Sequence, residues 1–362
     1  MASHHIQQII DGIIKNPEDN IEKLDLIYTN DEHLSIYRKK NRKKFAYFNE
    51  DKPIDEATEN RIKTLAIPPA WENVKISYLS NGHLQAVGRD LKQRKQYRYH
   101  PLWSKVRNET KFYRMEEFGR KLPLLRSIIE ANLALKDWSK QKLVSLVIAL
   151  MDETSMRIGN DYYANHNHTY GLSTLRKRHV NHSGKNLRFE YQGKRGKKHK
   201  VTIRNKKLIR LVRQCEELPG WELFQFYDEN GIKRRVDSTM VNDFLFDVCK
   251  AEFTAKDFRT WSASVAFFEF LYKSGVADSE DDKKKKILEG YDSAASVLGN
   301  TRNVCRKYYV HPKIERTYYE KGVLKTPNDV EIINGKIDNQ SNYEILFLEM
   351  IKDYFPVTLK NN

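Results

Sequence analysis

Apolar residues recur three and four apart from Glu116 to about Ile158: Leu124, Leu125, Ile128, Ile129 and Leu133, then Leu143, Leu146, Val147 and Leu150. That period lays them along one stripe of a helix, and a stripe of this length needs other helices to bury it. Upstream the pattern is different. To about Lys111, short alternating runs such as VKISYL and HLQAVG are separated by turn signals, NEDKP at Asn49 to Pro53 and SNGH at Ser80 to His83, which is the pattern of strands and turns. IPPAW, Ile67 to Trp71, stops any helix with its paired prolines and then supplies an aromatic anchor. The change of period predicts an α+β protein with a small β-rich amino-terminal lobe and a larger, mainly α-helical lobe. WSKVRNETKFYRMEEFG is the charged connector and lead-in helix between them.

Within the helical part, Asn181 to Asn205 reads as a β-hairpin or small sheet. LRFEYQ and HKVTI alternate, and GKRGKK turns between them. The lysines of that tip suit a solvated turn and suit equally an arm reaching a phosphate. A second basic cluster, DDKKKKI at Asp281 to Ile287, reads as a loop. Helices are predicted at Asp237 to Cys249, Thr254 to Lys273 and Ile287 to about Tyr308. Thr254 serves as N-cap for a helix carrying Phe258, Trp261, Val265 and Phe268 inward, so that Arg259 projects from its first turns. After about Glu315 comes an appended segment whose one apolar run, YEILFLEMI, reads as a packed helix. The expected divisions are residues 1–115, 116–314 and 315–362.

Composition narrows the chemistry. Lys and Arg number 64 against 48 Asp and Glu, a formal charge of +16 over 362 residues, which favours a polyanion such as nucleic acid as partner. Cys215, Cys249 and Cys305 are widely spaced, which argues against a zinc site or a disulfide framework and suits a reducing, cytoplasmic setting. The start, MASHHIQQIIDGIIKNPEDN, lacks the pattern of a secretory signal, and no run of about 18 apolar residues occurs. There is no GxxxxGK[ST] and no GxGxxG after a strand, so ATP and NAD chemistry find no support. His166, His168, His179, His182 and His199 lack HExxH spacing and an accompanying carboxylate cluster, so no metal site is expected.

Five stretches together resemble the type IB DNA topoisomerases of the compact bacterial and poxvirus-like branch. They are GRDLKQRKQYRYHPLW (Gly88 to Trp103), MRIGNDYYANHNHTYGLSTLRKRHV (Met156 to Val180), FEYQGKRGKKH (Phe189 to His199), TAKDFRTW (Thr254 to Trp261) and LGNTRNVCRKYYVHP (Leu298 to Pro312). IPPAW followed by GHLQA extends the likeness, which runs from about Ile36 to about Ile314. The resemblance implies a C-shaped clamp on duplex DNA, acting as a monomer without cofactor, metal, membrane or small-molecule substrate, in the cytoplasm or on a bacterial nucleoid. It also implies single-strand cleavage through a 3′-phosphotyrosyl bond, strand rotation and religation.

Site residues follow from the same likeness. The family's nucleophile is the tyrosine before Val-His-Pro, here Tyr309; Tyr308 stands where relatives usually carry a smaller residue. A phenol is a poor nucleophile at neutral pH unless cations stabilise its anion, and Arg157 and Arg259 match the family's two arginines. Lys194 matches the general acid, with Lys197 as the alternative. Asn300 stands nine residues before the nucleophile, where poxvirus-type relatives have histidine; it donates hydrogen bonds but carries no charge. Lys256 and Tyr163 match phosphate contacts, Gln96, Tyr97 and Tyr99 a surface that meets the major groove, and Arg176 and His179 supporting contacts. Two other readings are a tyrosine recombinase, whose HxxR is replaced here by KDFR, and a catalytically inactive module binding duplex DNA.

Overall fold

The computed structural model describes residue 12 and residues 21–41, 44–326, 328–335 and 337–355. The opening MASHHIQQIIDGIIKNPEDN, Gly12 apart, and the last seven residues of the appended segment lie outside these. Two compact units divide the chain: residues 1–113 with 355–362, and residues 114–354.

In the first unit the described strands form one antiparallel sheet of order β3-β2-β1-β4-β5-β6. They are β1 (Ile36–Asn41), β2 (Lys44–Asn49), β3 (Lys52–Pro53), β4 (Glu72–Ile76), β5 (Leu84–Arg89) and β6 (Lys95–Tyr99). Helix α1 (Glu56–Thr64) is capped by Asp55 and buries Ile62 among Ile36, Val74, Ile76 and Ala86, with Trp71 of IPPAW packed alongside. Helix α2 (Pro101–Tyr113) buries Trp103 and Val106 with Ile21, Leu24 and Leu26. β5 is buried from Leu84 to Gly88, whereas the edge strand β6 alternates. Lys95, Tyr97 and Tyr99 therefore share one face of it, and Gln96 and Arg98 the other.

The second unit begins with α3 (Met115–Leu133) and α4 (Lys140–Thr154), which pack on each other. Phe118, Leu122, Leu125, Ile129 and Leu133 make the buried stripe of α3, while Leu124 faces outward. After α5 (Asp161–Asn167), the strands β7 (Val180–Ser183), β8 (Asn186–Gln192) and β9 (Lys198–Ile203) form a three-stranded sheet whose β8–β9 tip is GKRGKK. Then come α6 (Lys206–Glu217), the short pair β10 (Gln225–Tyr227) and β11 (Lys233–Arg235), α7 (Ser238–Cys249) and α8 (Ala255–Ser274).

Helix α8 is central. Thr254 and Asp257 form a capping box at its start. Phe258, Trp261, Phe267 and Phe268 are buried, while Val265 is only half-buried. Phe118 sits edge-on to Phe253 and to Phe258 at 5.2 Å each, and Trp261 lies 5.2 Å from Phe347. Each buried ring of this kind contributes on the order of 1.5–3 kcal/mol.

DDKKKKI is helical rather than a loop, within α9 (Glu280–Leu298). Ser279 caps the helix, Glu280, Asp281 and Asp282 face its positive end, and Lys283, Lys284 and Lys286 pair back to them, Lys286 with Asp282 at 2.7 Å. The helix expected from Ile287 to Tyr308 is broken. Gly299 adopts the left-handed conformation (φ 62°) and ends α9, and α10 (Arg302–Tyr308) starts afresh. The chain continues through α11 (Pro312–Lys321), α12 (Asp329–Asn334) and α13 (Asn342–Ile351), the last carrying Ile345, Leu346, Phe347 and Leu348 into the core against α8 and α3.

Candidate active site

Four elements of the second unit converge on Tyr309. The residue caps the C-terminus of α10, its N–H bonded to Cys305 O at 2.9 Å. Ser264 on α8 fixes the backbone there: its hydroxyl accepts from His311 N–H at 3.0 Å and has its one proton between Thr260 O at 2.9 Å and Tyr309 O at 3.1 Å. His311 is fully buried, caps α11 through Nδ1, and packs on Tyr354 at 4.4 Å. Tyr309 is thereby held to the helix that also carries Arg259.

Arg259 is 4% exposed. One end of its fork donates to Ser155 O and the other to Leu298 O at 3.2 Å, and its Cζ lies 5.4 Å from the Tyr309 ring centre. Its Nε makes no hydrogen bond within the protein. Arg157, two residues beyond the left-handed Ser155 that ends α4, donates from Nη2 to Asn300 Oδ1 at 2.9 Å. Asn300 follows directly on Gly299, so the break between α9 and α10 is what turns its amide into the site. The Asn300 Nδ2 makes no hydrogen bond of ordinary geometry, with only the Cys305 thiol as a weak neighbour.

Electrostatics distinguish Tyr309 from its neighbours. Burial works to raise the phenol's pKa, but the charges of Arg259 and Arg157, a hydrogen bond from Arg259 and the charge of Lys256 outweigh it, leaving it below the ordinary value. Tyr191 on β8 feels the same two arginines, yet deeper burial pushes its phenol up to about 12. Burial likewise pushes the Cys305 thiol up to about 11. Burial and the Arg157 charge pull Arg259 down, offset in part by Tyr309; an arginine starts so far above neutrality that it stays charged. Tyr308 is 43% exposed, and its ring lies 5.4 Å from the Lys307 ammonium.

The remaining candidates are spread more widely. Lys194 opens the three-residue tip turn and is exposed, and Lys197 closes the turn with Nζ donating to Gly299 O at 2.8 Å. Lys256 is exposed in the first turn of α8. Tyr163 is exposed on α5, edge-on to Tyr162 at 5.7 Å. In the first unit Tyr97 and Tyr99 stack at 6.0 Å, whereas Gln96 lies on the opposite face of β6 and donates to Asp90 at 3.1 Å. Arg176 is pressed over Trp221 at 4.1 Å, and His179 is buried beside Tyr170 with Nδ1 accepting from Arg176 N–H at 3.0 Å. Among the described residues no group of three His, Cys, Asp or Glu side chains is placed to hold a metal, and no helix is long and apolar enough to cross a membrane.

Three residues packed around Tyr309 and its arginines escaped the sequence reading: Ser264, Tyr191 and, stacked on Tyr191 at 5.2 Å, His199. The last two were inside FEYQGKRGKKH, where alternation across the hairpin was their one signal.

Comparisons with known proteins agree with this architecture. Residues 92–328 match the family model described as eukaryotic DNA topoisomerase I, catalytic core, and residues 44–90 match bacterial DNA topoisomerase IB, N-terminal domain. The DNA topoisomerase 1B of Acanthamoeba polyphaga mimivirus is 34% identical over 291 residues, covering 77% of this chain and 87% of the relative. The DNA topoisomerase 1 of rabbit fibroma virus (strain Kasza) is 22% identical over 281 residues, covering 75% and 80%. A solved XerH site-specific recombinase bound to difH substrate superimposes with a TM-score of 0.32 at 13% identity over 70% of this chain and 60% of that one, too loosely to carry an argument. The chain belongs to the type IB DNA topoisomerases, in the compact bacterial and poxvirus-like branch. It is accordingly an isomerase that relaxes DNA.

Proposed function

We propose that this topoisomerase cleaves one strand of duplex DNA through Tyr309. The phenolic oxygen bonds to phosphorus as the bond from phosphorus to the 5′-oxygen breaks, leaving a 3′-phosphotyrosyl link. The phenol's proton leaves to water. The ammonium of Lys194 gives a proton to the departing 5′-oxygen, which would otherwise leave as a high-energy alkoxide. Rotation of the free strand changes the linking number, and reversal of the same transfers reseals it. Exchanging one phosphodiester for another is close to energy-neutral, so the covalent link itself stores what religation needs.

Arg157, Arg259 and Asn300 hold the non-bridging phosphate oxygens, doing with fixed donors what a divalent ion does in other phosphoryl-transfer sites. The unpaired Arg259 Nε and Asn300 Nδ2 support an anion in this place, since a buried donor without a partner costs about 1–3 kcal/mol. Lys256, Lys197 and Tyr163 are assigned to flanking phosphates and Tyr97 and Tyr99 to the groove, while Gln96, expected with them, is turned to the other face of β6 and held by Asp90. The observation that carries the reading is that Tyr309 is the tyrosine whose phenol two converging arginines lower despite burial.

The test is relaxation of supercoiled plasmid in EDTA without ATP, followed by denaturant quench and peptide mapping of the DNA-linked tyrosine. Tyr309→Phe should yield neither relaxed plasmid nor adduct while still binding, and Tyr308→Phe should retain both. An active Tyr309→Phe beside a dead Tyr308→Phe would overturn the assignment. Recombinant joints between defined sites would instead favour a recombinase.

A further inference from the structure

We infer that His199 is a positioning residue, a wedge that fixes the hairpin tip bearing Lys194 against the Gly299–Asn300 corner of the active site. The inference rests on the reading of Lys194 as the general acid. His199 pairs directly with Tyr191 across β8 and β9, and the two rings stack at 5.2 Å with planes 14° apart. One edge of the imidazole faces Gly193: a Cβ there would stand 2.5 Å from Cδ2 and 2.8 Å from Nε2. The other edge faces Gly299, where a Cβ would stand 3.1 Å from Cε1 and 3.2 Å from Nδ1. The ring thus fills a slot between the residue just before Lys194 and the residue just before Asn300. Lys197 reinforces the joint by donating to Gly299 O at 2.8 Å.

Such a joint has a purpose. The tip is a short exposed turn with Arg195 in the left-handed region (φ 64°), and a general acid must come within hydrogen-bond reach of the leaving oxygen. Misplacing a reacting group by about 1 Å costs about 10²-fold in rate. The corner that receives the ring is the same one whose Asn300 accepts from Arg157, so the wedge ties the acid's side of the site to the phosphate-binding side. The groups facing the imidazole are Tyr191 on β8, Lys197 in the tip, Arg157 after α4 and Arg259 on α8. Burial first, and then the charges of Arg157, Lys197 and Arg259, hold it below its ordinary pKa. It therefore packs as a neutral plate among three cations.

The experiment compares single-turnover cleavage of two duplexes, one with an ordinary scissile phosphate and one with sulfur as the 5′-bridging atom, whose thiolate leaves without an acid. His199→Ala should cleave ordinary DNA about 10–100-fold more slowly and the sulfur substrate within about 3-fold of the unmodified enzyme. His199→Phe keeps a flat ring and should recover most of the loss. Gly193→Ala, which drives a methyl into the imidazole, should show the same substrate-selective loss, and adding it to His199→Ala should cost little more. Lys194→Ala is the separate control: an equal loss on both substrates removes the general-acid reading itself. If Lys194→Ala is rescued by sulfur while His199→Ala is not, or if His199→Ala cleaves at full rate, the wedge is overturned. A His199→Phe enzyme no faster than His199→Ala also overturns it, because ring shape would then be irrelevant. Should His199→Ala fail to fold, Gly193→Ala and His199→Phe carry the same comparison.

Discussion

Fixed charge and burial oppose each other at every phenol near Arg157 and Arg259, and their balance differs by residue. At Tyr309 the cations win; at Tyr191 burial does. Arg259→Lys should therefore weaken catalysis in two ways. The compact ammonium cannot reach both Ser155 O and Leu298 O as the fork does, and single-turnover cleavage should fall about 10²–10³-fold. The shorter side chain also draws its charge back from the Tyr309 ring that the guanidinium now approaches to 5.4 Å, so Tyr309 should ionise at higher pH and the alkaline rise of the cleavage rate should move upward. An unchanged pH profile would separate Arg259 from the phenolate. Another residue makes a prediction about stability. His179 is buried between Arg176 and Arg178, and burial first, then those two charges, lower its pKa to about 4. The unfolded chain binds this proton near pH 6.5 and the native state resists it down to about 4, so the neutral ring's full contribution is present above pH 6.5 and is lost as pH falls through that window. After allowance for solvent screening the loss is of order 1–2 kcal/mol. Thermal melts at pH 7 and pH 5 should show a larger drop for the unmodified protein than for His179→Gln.

At the scale of elements, α13 is built into the second unit by a partly buried ionic cluster. Arg126 on α3 donates to Asp152 on α4 at 2.7 Å and to Glu344 on α13 at 2.8 Å, and the Trp261 indole N–H donates to the same Glu344 oxygen at 2.9 Å. Burial alone would raise the Glu344 carboxyl, but Arg126 with the Ser341 N–H and Trp261 holds it below the usual carboxylate range. Glu344→Ala strips the buried Trp261 indole and the half-buried Arg126 guanidinium of an acceptor and should cost about 3 kcal/mol, or about 8 °C in Tm for a unit of this size. A shift under about 2 °C would show that Asp152 and water suffice. None of this was legible in YEILFLEMI, which gave an apolar stripe but not the glutamate's partner, because Arg126 is more than two hundred residues away. The helical period of α3, the Thr254 cap and the hairpin were readable because each is set by neighbours within a few positions. DDKKKKI was misread because clustered charge looks like a solvated loop, whereas acids placed before lysines at i,i+3 and i,i+4 favour a helix. The break at Gly299 was hidden by apolar periodicity on either side, though the glycine itself was the signal. That Tyr309, Arg157 and Arg259 come together was foreshadowed by the long motifs that carry them; Ser264, an ordinary serine inside a helix, offered no such signal.

Across the whole molecule the excess of 64 Lys and Arg over 48 Asp and Glu makes the binding of its DNA substrate a matter of salt. Much of the charge is neutralised locally: Lys283, Lys284 and Lys286 pair with acids of their own helix, and Arg126 and Arg302 are committed to carboxylates. Those pairs already cancel within the net charge, which does not say where the unmatched cations lie, and counterion release is the direct count of the phosphates engaged. Binding by Tyr309→Phe, which avoids the covalent step, should weaken by about 10³-fold between 50 and 200 mM salt, as expected for six or so phosphate contacts. Lys256→Ala should weaken binding at low salt and make the log–log slope shallower by about one, because one neutralised phosphate is lost. Gln96→Ala should leave the slope unchanged, since an amide displaces no counterion. A slope shallower than about −2 would mean that most of the unmatched cations lie away from the DNA and that affinity comes from groove contacts by Tyr97 and Tyr99 instead. In that case Tyr97→Ala, rather than Lys256→Ala, would be the variant that releases DNA.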